Sequence, residues 1–330
     1  MTAPQHPRSI SEGMFLPVHG QDQWITIRGA DRSNPVLLIL HGTGFALSTF
    51  APFFAPWEQD WTLVQWDQPG AGSTYARNPG QGTAGLSFDR ITRHAIAVTE
   101  FVLERLGVAR LAVFATSGGT MIGLKLIKAR PELFCAYVGN GQVVNYARQE
   151  PISYGLVLAR ARASGDAAAV AELEALGAPP YETVAAVAAK NKYANAMTPA
   201  EQAVFAALDP TILAALRTPP AGADYVAPGL APFDARAVSR ASFEALVDDF
   251  AAFDARAFGL HFDVPMFFFQ GEQDLHTVTS EVQSYAAEIH APQKMLVLIP
   301  EGGHMSFFLR DPLLALLNAH VRPLASGASR

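Results

Sequence analysis

The sequence predicts an α/β protein built on a mostly parallel sheet with helices on both faces and a helical insertion late in the chain. Three observations carry this. Apolar runs of strand length recur along the chain, notably Pro35–Leu40, Trp61–Trp66, Leu111–Phe114, Pro131–Val138, Val264–Gln270 and Lys294–Ile299. They are continuous rather than alternating, as strands buried on both faces are. Helical spacing lies between them: over Ser87–Leu106 one broad face collects Ile91, Ala95, Val98, Phe101, Val102 and Leu106. Alternation of this kind calls for parallel strands joined by helical crossovers.

The elements follow in order. Met14–Val18 and Gln23–Arg28 read as a leading antiparallel pair. Two strands then end in turn clusters, His41-Gly42-Thr43-Gly44 and Asp67-Gln68-Pro69-Gly70-Ala71-Gly72-Ser73. From about residue 145 to 261 the chain is rich in alanine, with helical stretches such as Asp166–Leu176 and Tyr181–Ala189 and Pro-Pro pairs at 179–180 and 219–220. That gives a core of residues 1–144 and 262–330 interrupted by a cap of residues 145–261. After the strand Val264–Gln270 come a helix near Thr279–Ile289, the strand Lys294–Ile299 and a final helix from about Ser306 to Val321. The tail Ala325–Arg330 reads as frayed.

Bulk composition narrows the function. The chain has 330 residues, 50% hydrophobic and 16% charged, enough for one large packed domain with an insertion. A net charge of -6 gives no reason to expect nucleic acid or an anionic membrane as a partner. The apolar runs are too short to span a bilayer, and the opening Met1-Thr2-Ala3-Pro4-Gln5-His6-Pro7-Arg8 has no apolar signal core. Cys135 is the single cysteine, in the apolar run Leu133–Val138, so a buried thiol is expected and no disulfide within the chain is possible. A cytoplasmic protein is the simplest expectation. Oligomeric state has no signal in the sequence.

The chemistry starts at Ser117. The run Leu111-Ala112-Val113-Phe114-Ala115-Thr116 stops at Ser117-Gly118-Gly119, and a helix-like run from Thr120 follows. A hydroxyl at a strand-to-helix turn stands clear of the sheet at a helix N-terminus, where free N–H groups favour developing negative charge. The pattern G-x-S-x-G reads here Ala115-x-Ser117-x-Gly119, with alanine as the mildest substitute for the first glycine.

A serine hydroxyl needs a base, and the base needs an orienting acid. His304 lies in Pro300-Glu301-Gly302-Gly303-His304, after the last strand, at the sheet edge where open α/β sheets place ligands. A structural loop histidine is the other reading of that position. Asp274 ends Gly271-Glu272-Gln273-Asp274 after the preceding strand and reaches the same edge, with Glu272 as its competitor. His276, two residues on, is a weaker rival for a site role. The oxyanion of an acyl-transfer intermediate needs two N–H donors. Gly118 supplies one, and the loop after the strand ending at Leu40 should supply the other from Thr43, with Gly44 as fallback.

These motifs together resemble the α/β-hydrolase superfamily, and within it the proline iminopeptidase-like branch of serine hydrolases. The residues that carry it are His41–Gly44, Trp66–Ser73, the elbow at Ser117, Gly271–Asp274 and Gly302-Gly303-His304; the cap matches no motif. The resemblance implies an eight-stranded, mostly parallel sheet, the order Ser117, Asp274, His304 for a catalytic triad, and no cofactor or metal. It implies a small-molecule or short-peptide substrate cleaved through an acyl-enzyme, by an aminopeptidase of the iminopeptidase type or a carboxylesterase. Two departures stand out: the branch has His-Gly-Gly-Pro-Gly where this chain has His41-Gly42-Thr43-Gly44-Phe45, and Gly-Gly-Ser-Trp-Gly at the elbow where this chain has Gly118 after the serine. Iminopeptidases bind the substrate amino group with cap carboxylates, for which Glu244, Asp248 and Asp249 are candidates, with an exposed helix face as the other reading of those residues; Gly44 and Phe45 are the other candidate substrate contacts. The aromatics Phe45, Phe50, Phe53, Phe54 and Trp57 suit an apolar acyl group instead, with core packing as the other reading of many of them. The alternative from a different class is a receptor-like α/β-hydrolase that binds its ligand with little turnover.

Overall fold

The structure is a computed structural model that describes residues 8–42, 44–218, 222–230 and 233–326. Its centre is one eight-stranded sheet with the order β1-β2-β4-β3-β5-β6-β7-β8. The strands are β1 Ile10–Val18, β2 Gln21–Gly29, β3 Val36–Leu40, β4 Thr62–Trp66, β5 Leu111–Thr116, β6 Phe134–Asn140, β7 Met266–Gly271 and β8 Lys294–Ile299. β1 pairs with β2, and β2 with β4, antiparallel; every other pairing is parallel. The mostly parallel sheet expected from the sequence is therefore present, with the leading hairpin at one edge.

The continuous apolar strands divide their side chains between two cores. In β3, Val36, Leu38 and Leu40 face one side, while Leu37 and Ile39 face the other. In β5, Leu111, Val113 and Ala115 join the first side and Ala112 and Phe114 the second. Each such Leu or Ile contributes roughly 1.5–3 kcal/mol by leaving water, which holds both helical layers on the sheet. The first layer contains the helices Phe88–Leu106 and Gly118–Ala129. Phe88–Leu106 starts where the Ser87 side chain accepts from the Arg90 N–H and stops at Gly107 in the left-handed region, φ 69°. The second layer packs Trp57, Trp61, Leu313, Leu317 and Val321 on the opposite face.

Several boundaries differ from the sequence expectations. Pro131–Leu133 forms a 3₁₀ turn, and the strand starts at Phe134; the proline lacks the N–H that a ladder requires. The expected helix Ser306–Val321 is divided. A 3₁₀ turn at Ser306–Phe308 precedes a helix at Arg310–Leu316, a π turn at Leu317–Val321 and a last helix at Arg322–Ser326. Pro312 fixes the start, because proline is tolerated in a first turn and not deeper. Of the expected frayed tail, Ala325 and Ser326 are helical and residues 327–330 lie outside the described residues.

Between β6 and β7 the described residues form helices at Tyr146–Ala163, Ala167–Leu176, Val184–Ala194, Pro199–Ala206, Pro210–Arg217 and Ala235–Ala252. The Pro-Pro pair at 219–220 lies outside the described residues. A buried ion pair, Lys190 Nζ to Glu150 Oε1 at 2.8 Å with Ser153 Oγ at 3.2 Å, joins the Val184–Ala194 helix to the Tyr146–Ala163 helix. Among the described residues no helix is long and apolar enough to cross a membrane.

Candidate active site

Six parallel strands, β3 to β8, end at the same edge of the sheet, and the loops that leave β3, β4, β5, β7 and β8 make the site and its supports. At the end of β5, Ser117 adopts φ 51°, ψ −127°, a conformation that L-residues rarely hold. Two features sustain it. Ser117 N–H donates to the Asn140 carbonyl at 3.0 Å, fastening the turn to the end of β6. Gly119 then passes so close to β3 that a Cβ there would stand 2.4 Å from the Leu40 carbonyl oxygen and 2.6 Å from that of His41. The substitution of alanine for the first glycine has a local counterpart. Ala115 is fully buried and faces Gly123, whose own added Cβ would come within 3.1 Å of the Ala115 methyl. The bulk given to one side of the contact is removed from the other.

Ser117, His304 and Asp274 are brought together as the sequence order implied. Ser117 Oγ lies 3.0 Å from His304 Nε2, and His304 Nδ1 lies 3.1 Å from Asp274 Oδ2. Asp274 is fully enclosed, and its oxygens are well supplied with donors. Oδ1 accepts from the His276 and Thr277 N–H groups at 2.8 and 2.9 Å; Oδ2 accepts from Thr277 Oγ1 at 2.5 Å and Gln270 Nε2 at 3.0 Å. Burial pushes this carboxyl up, but the neighbouring His304 and the Thr277 hydroxyl outweigh it and hold Asp274 well below the usual carboxylate range. An ionised acid behind an imidazole, with the other imidazole nitrogen on a hydroxyl, is an arrangement that can activate the serine. Glu272, the competing acid, is exposed, and it is Asp274 that the loop turns toward His304.

The Asp67–Ser73 cluster explains itself as scaffold for the neighbouring loop. Asp67 is buried and accepts from Ser48 N–H at 3.0 Å, Ser48 Oγ at 2.9 Å and Ser73 N–H at 2.8 Å. Gly72 leaves the room, since a Cβ there would meet Asp67 Oδ2 at 2.3 Å. Gln68 continues the tie: its side chain donates to the His41 carbonyl at 3.3 Å, and its N–H donates to His41 Nε2 at 3.4 Å. Burial lowers His41 to about 4, so it is a neutral strut whose Nδ1–H donates to the Gly42 carbonyl. From the far side, Ser239 and Ser242 of the Ala235–Ala252 helix press on the loops. An added Cβ on Gly44 would meet the Ser239 Cα at 2.6 Å, and Ser242 Oγ donates to the Gly70 carbonyl.

Gly118 lines the cavity, and an added Cβ on Gly42 would lie 3.8 Å from its N–H nitrogen. Thr43, expected as the second oxyanion donor, lies outside the described residues. Gly44, its fallback, is described at φ 69°. Phe45 lines the cavity, its ring centroid 4.6 Å from that of Phe50 with the planes tilted by 39°.

The cavity above Ser117 has a volume of about 270 Å³. Its wall is largely aromatic: Phe45, Phe54, Phe114, Phe243, Phe250 and Phe307. Glu244 and Asp248 do not reach it. They are exposed on the outer side of the Ala235–Ala252 helix, because that helix turns Val238, Ser242, Leu246 and Phe250 inward. Asp249 instead accepts from the Phe88 N–H at 2.7 Å and caps a core helix. Cys135 is buried and its thiol is pushed up to about 11 by burial, as a core residue should be.

Sequence reasoning ranked His276 only as a weaker rival and missed Asn191, Asn195 and Glu201. His276 lies edge-on to His304 at 4.4 Å and lines the cavity with Asn191 and Asn195. Glu201 is fully buried, accepting from Gly303 N–H at 2.6 Å and Thr198 N–H at 2.9 Å, directly before His304. The Thr198-Pro199-Ala200-Glu201 capping box was a readable signal for the second of these bonds.

The comparisons agree with this architecture. A curated relative, the probable aminopeptidase YbaC of Bacillus subtilis (strain 168), is 24% identical over 318 residues, covering 96% of this chain and 98% of that protein. Among solved structures, a proline iminopeptidase-related protein from Thermus thermophilus superposes with a TM-score of 0.62 at 16% identity, covering 96% of this chain and 99% of the other. Est816, described as an N-acyl homoserine lactone degrading enzyme, gives 0.60 at 18% identity, covering 93% and 100%. The family model described as the alpha/beta hydrolase fold matches residues 35–311, most of the chain, and this protein therefore belongs to the α/β-hydrolase family.

Proposed function

We propose that the protein is a serine hydrolase that cleaves a small ester with a largely apolar body through an acyl-enzyme. The observation that carries the reading is the 3.0 Å contact of Ser117 Oγ with His304 Nε2 at the floor of an aromatic cavity. Ser117 Oγ attacks the ester carbonyl while its proton passes to His304 Nε2. The carbonyl oxygen becomes an oxyanion beside the Gly118 N–H and an N–H of the 42–44 segment, at the positive end of the Gly118–Ala129 helix. Collapse of the intermediate expels the alkoxide, which takes the proton from His304. Water then repeats the sequence on the acyl-enzyme and frees the acid. Asp274 fixes the imidazole tautomer and stays ionised throughout. The residues from 145 to 261 act as the lid that shapes the cavity.

The second reading is an aminopeptidase, favoured by the similarity to YbaC. An α-ammonium group needs an anionic partner, and none of the described residues lining the cavity is an Asp or Glu. Ester cleavage is therefore the reading the cavity supports. The test is a panel of aryl esters with short acyl chains beside proline and alanine arylamides, with Ser117→Ala as the control. Serine-dependent turnover confined to the arylamides would replace the ester reading with the aminopeptidase one. Tight ligand binding with negligible product release would favour a receptor.

A further inference from the structure

The acid of the triad is held from the cap as well as from the sheet. Leu275 stands between Asp274 and His276 in the loop that leaves β7, and its side chain joins neither core of the sheet. It packs instead against a separate apolar cluster formed by Val157, Ala161, Ala169, Leu173 and Ala194 of the cap helices. A second attachment is polar. Ser153, fully buried on the Tyr146–Ala163 helix, donates its hydroxyl to the Leu275 carbonyl. The cap thus grips one residue of the acid loop by both side chain and backbone. Arg148 of the same helix adds a tie just beyond the loop, its Nε donating at 3.0 Å to Oε1 of Glu281 in the first turn of the Thr279–Glu288 helix.

Charge fixes the direction of the Ser153 bond. Lys190 Nζ lies 2.8 Å from Glu150 Oε1 and 3.2 Å from Ser153 Oγ, and all three side chains are buried. An ammonium can only donate, so it takes a lone pair of the Ser153 oxygen, and the single hydroxyl hydrogen is left for the Leu275 carbonyl. A buried ion pair adds little net stability, and where one is kept it can serve to specify one geometry. The geometry specified here is that of the residue next to Asp274. Its displacement would carry Asp274 Oδ2 from His304 Nδ1, 3.1 Å away, and would pull the His276 N–H from Asp274 Oδ1, 2.8 Å away.

We infer that Ser153 and Leu275 are positioning residues for the reaction: through them the cap holds Asp274 in line with His304. This rests on the serine-hydrolase reading above. The cap is then part of the frame of the charge pair as well as a wall of the cavity. Each catalytic loop is tied to its own cap helix, the acid loop by Ser153 and the histidine loop by Glu201. Neither Ser153 nor Leu275 is among the described residues lining the cavity, so neither touches a substrate held there. Loss of either therefore acts on the chemical step and leaves binding alone, with a lower kcat and an unchanged KM.

The test compares Ser153→Ala and Leu275→Ala with the wild type on an aryl ester, and times the phosphonylation of Ser117 by a fluorophosphonate in the same proteins. Both variants should lose about tenfold or more in kcat, with KM within about twofold and slower phosphonylation in step. Leu275→Met keeps the volume of the side chain and should restore most of the rate. Val102→Ala, in the Phe88–Leu106 helix and outside the cavity wall, lowers stability without touching the loop. Its kcat should stay within about twofold of wild type. Denaturant titration reads the folding and stability of every protein, and Leu275→Val serves if Leu275→Ala is unfolded. Folded variants with wild-type kcat, a loss confined to KM, or an equal fall in Val102→Ala overturns the positioning role and leaves the hydrolase reading standing. If the wild type shows neither Ser117-dependent turnover nor labelling, the hydrolase reading falls and takes this inference with it.

Discussion

Replacing Glu201 with alanine removes a side chain that ties the 199–206 helix to the loop carrying His304. Its carboxylate is fully buried and accepts two backbone donors, Gly303 N–H at 2.6 Å and Thr198 N–H at 2.9 Å. Both donors lie in buried residues. Burial pushes the Glu201 carboxyl up, while those two N–H groups pull it back. Truncation strands both N–H groups, and a stranded buried donor costs about 1–3 kcal/mol. Partial access of water to the opened space brings the sum to about 3 kcal/mol rather than the upper limit. Glu201→Gln keeps one carbonyl oxygen and turns an NH₂ group toward the other donor, so about half that loss is expected. Denaturant titration with a shared slope reads the stability. Steady-state ester hydrolysis reads the second consequence, a lower kcat with little change in KM, because His304 follows the freed Gly303. A Glu201→Ala protein within about 0.5 kcal/mol of wild type and with unchanged kcat would refute the link between this helix and the histidine loop.

The other predictions concern the site and its supports. Asp274→Asn should lower kcat by roughly 10³–10⁴-fold with modest change in KM, measured on an aryl ester, because the neutral amide no longer stabilises the imidazolium. Thr277→Val removes the 2.5 Å hydroxyl donor to Asp274 and should lower kcat by about tenfold, with KM unchanged. Gly119→Ala forces a methyl to within 2.4 Å of the Leu40 carbonyl oxygen. The expected loss is about 1–3 kcal/mol in denaturant titration, together with weakened labelling of Ser117. His41 is held neutral in the fold, at about 4 against about 6.5 unfolded. Its stabilising share is complete above pH 6.5 and is lost as pH falls toward 4, by about 3 kcal/mol. His41→Gln should therefore flatten the acid side of the stability–pH curve; an unchanged slope would assign that slope to other groups.

The sheet was legible because strands buried on both faces leave continuous apolar runs; five strands were visible that way, and the part-exposed edge strand β8 carries a similar run. The leading hairpin was legible at its centre and short at its ends, where the edge strand β1 carries Glu12 and β2 opens on the polar Gln21-Asp22. Ser117, Asp274 and His304 were legible because each follows a strand closely, so sequence position fixes which edge it reaches. The helical stretch from residue 146 was different. There burial depends on which helix face meets which neighbour, and Glu244 and Asp248 were offered as ligands through the resemblance, with an exposed helix face as the other reading. The inward set Val238, Ser242, Leu246 and Phe250 shows that helical spacing already placed them outside. Glu201 owes its place to its bond with the distant Gly303, which no local pattern announces.

The central claim is that Ser117 is the nucleophile, and covalent capture tests it most directly. The protein is treated with a fluorophosphonate, digested, and mapped by mass spectrometry, with ester hydrolysis followed in parallel. The account predicts one adduct, on the peptide bearing Ser117, and the loss of both adduct and hydrolysis in a folded Ser117→Ala protein. Hydrolysis at the wild-type rate in Ser117→Ala, or an adduct on another residue with Ser117 unmodified, would contradict it.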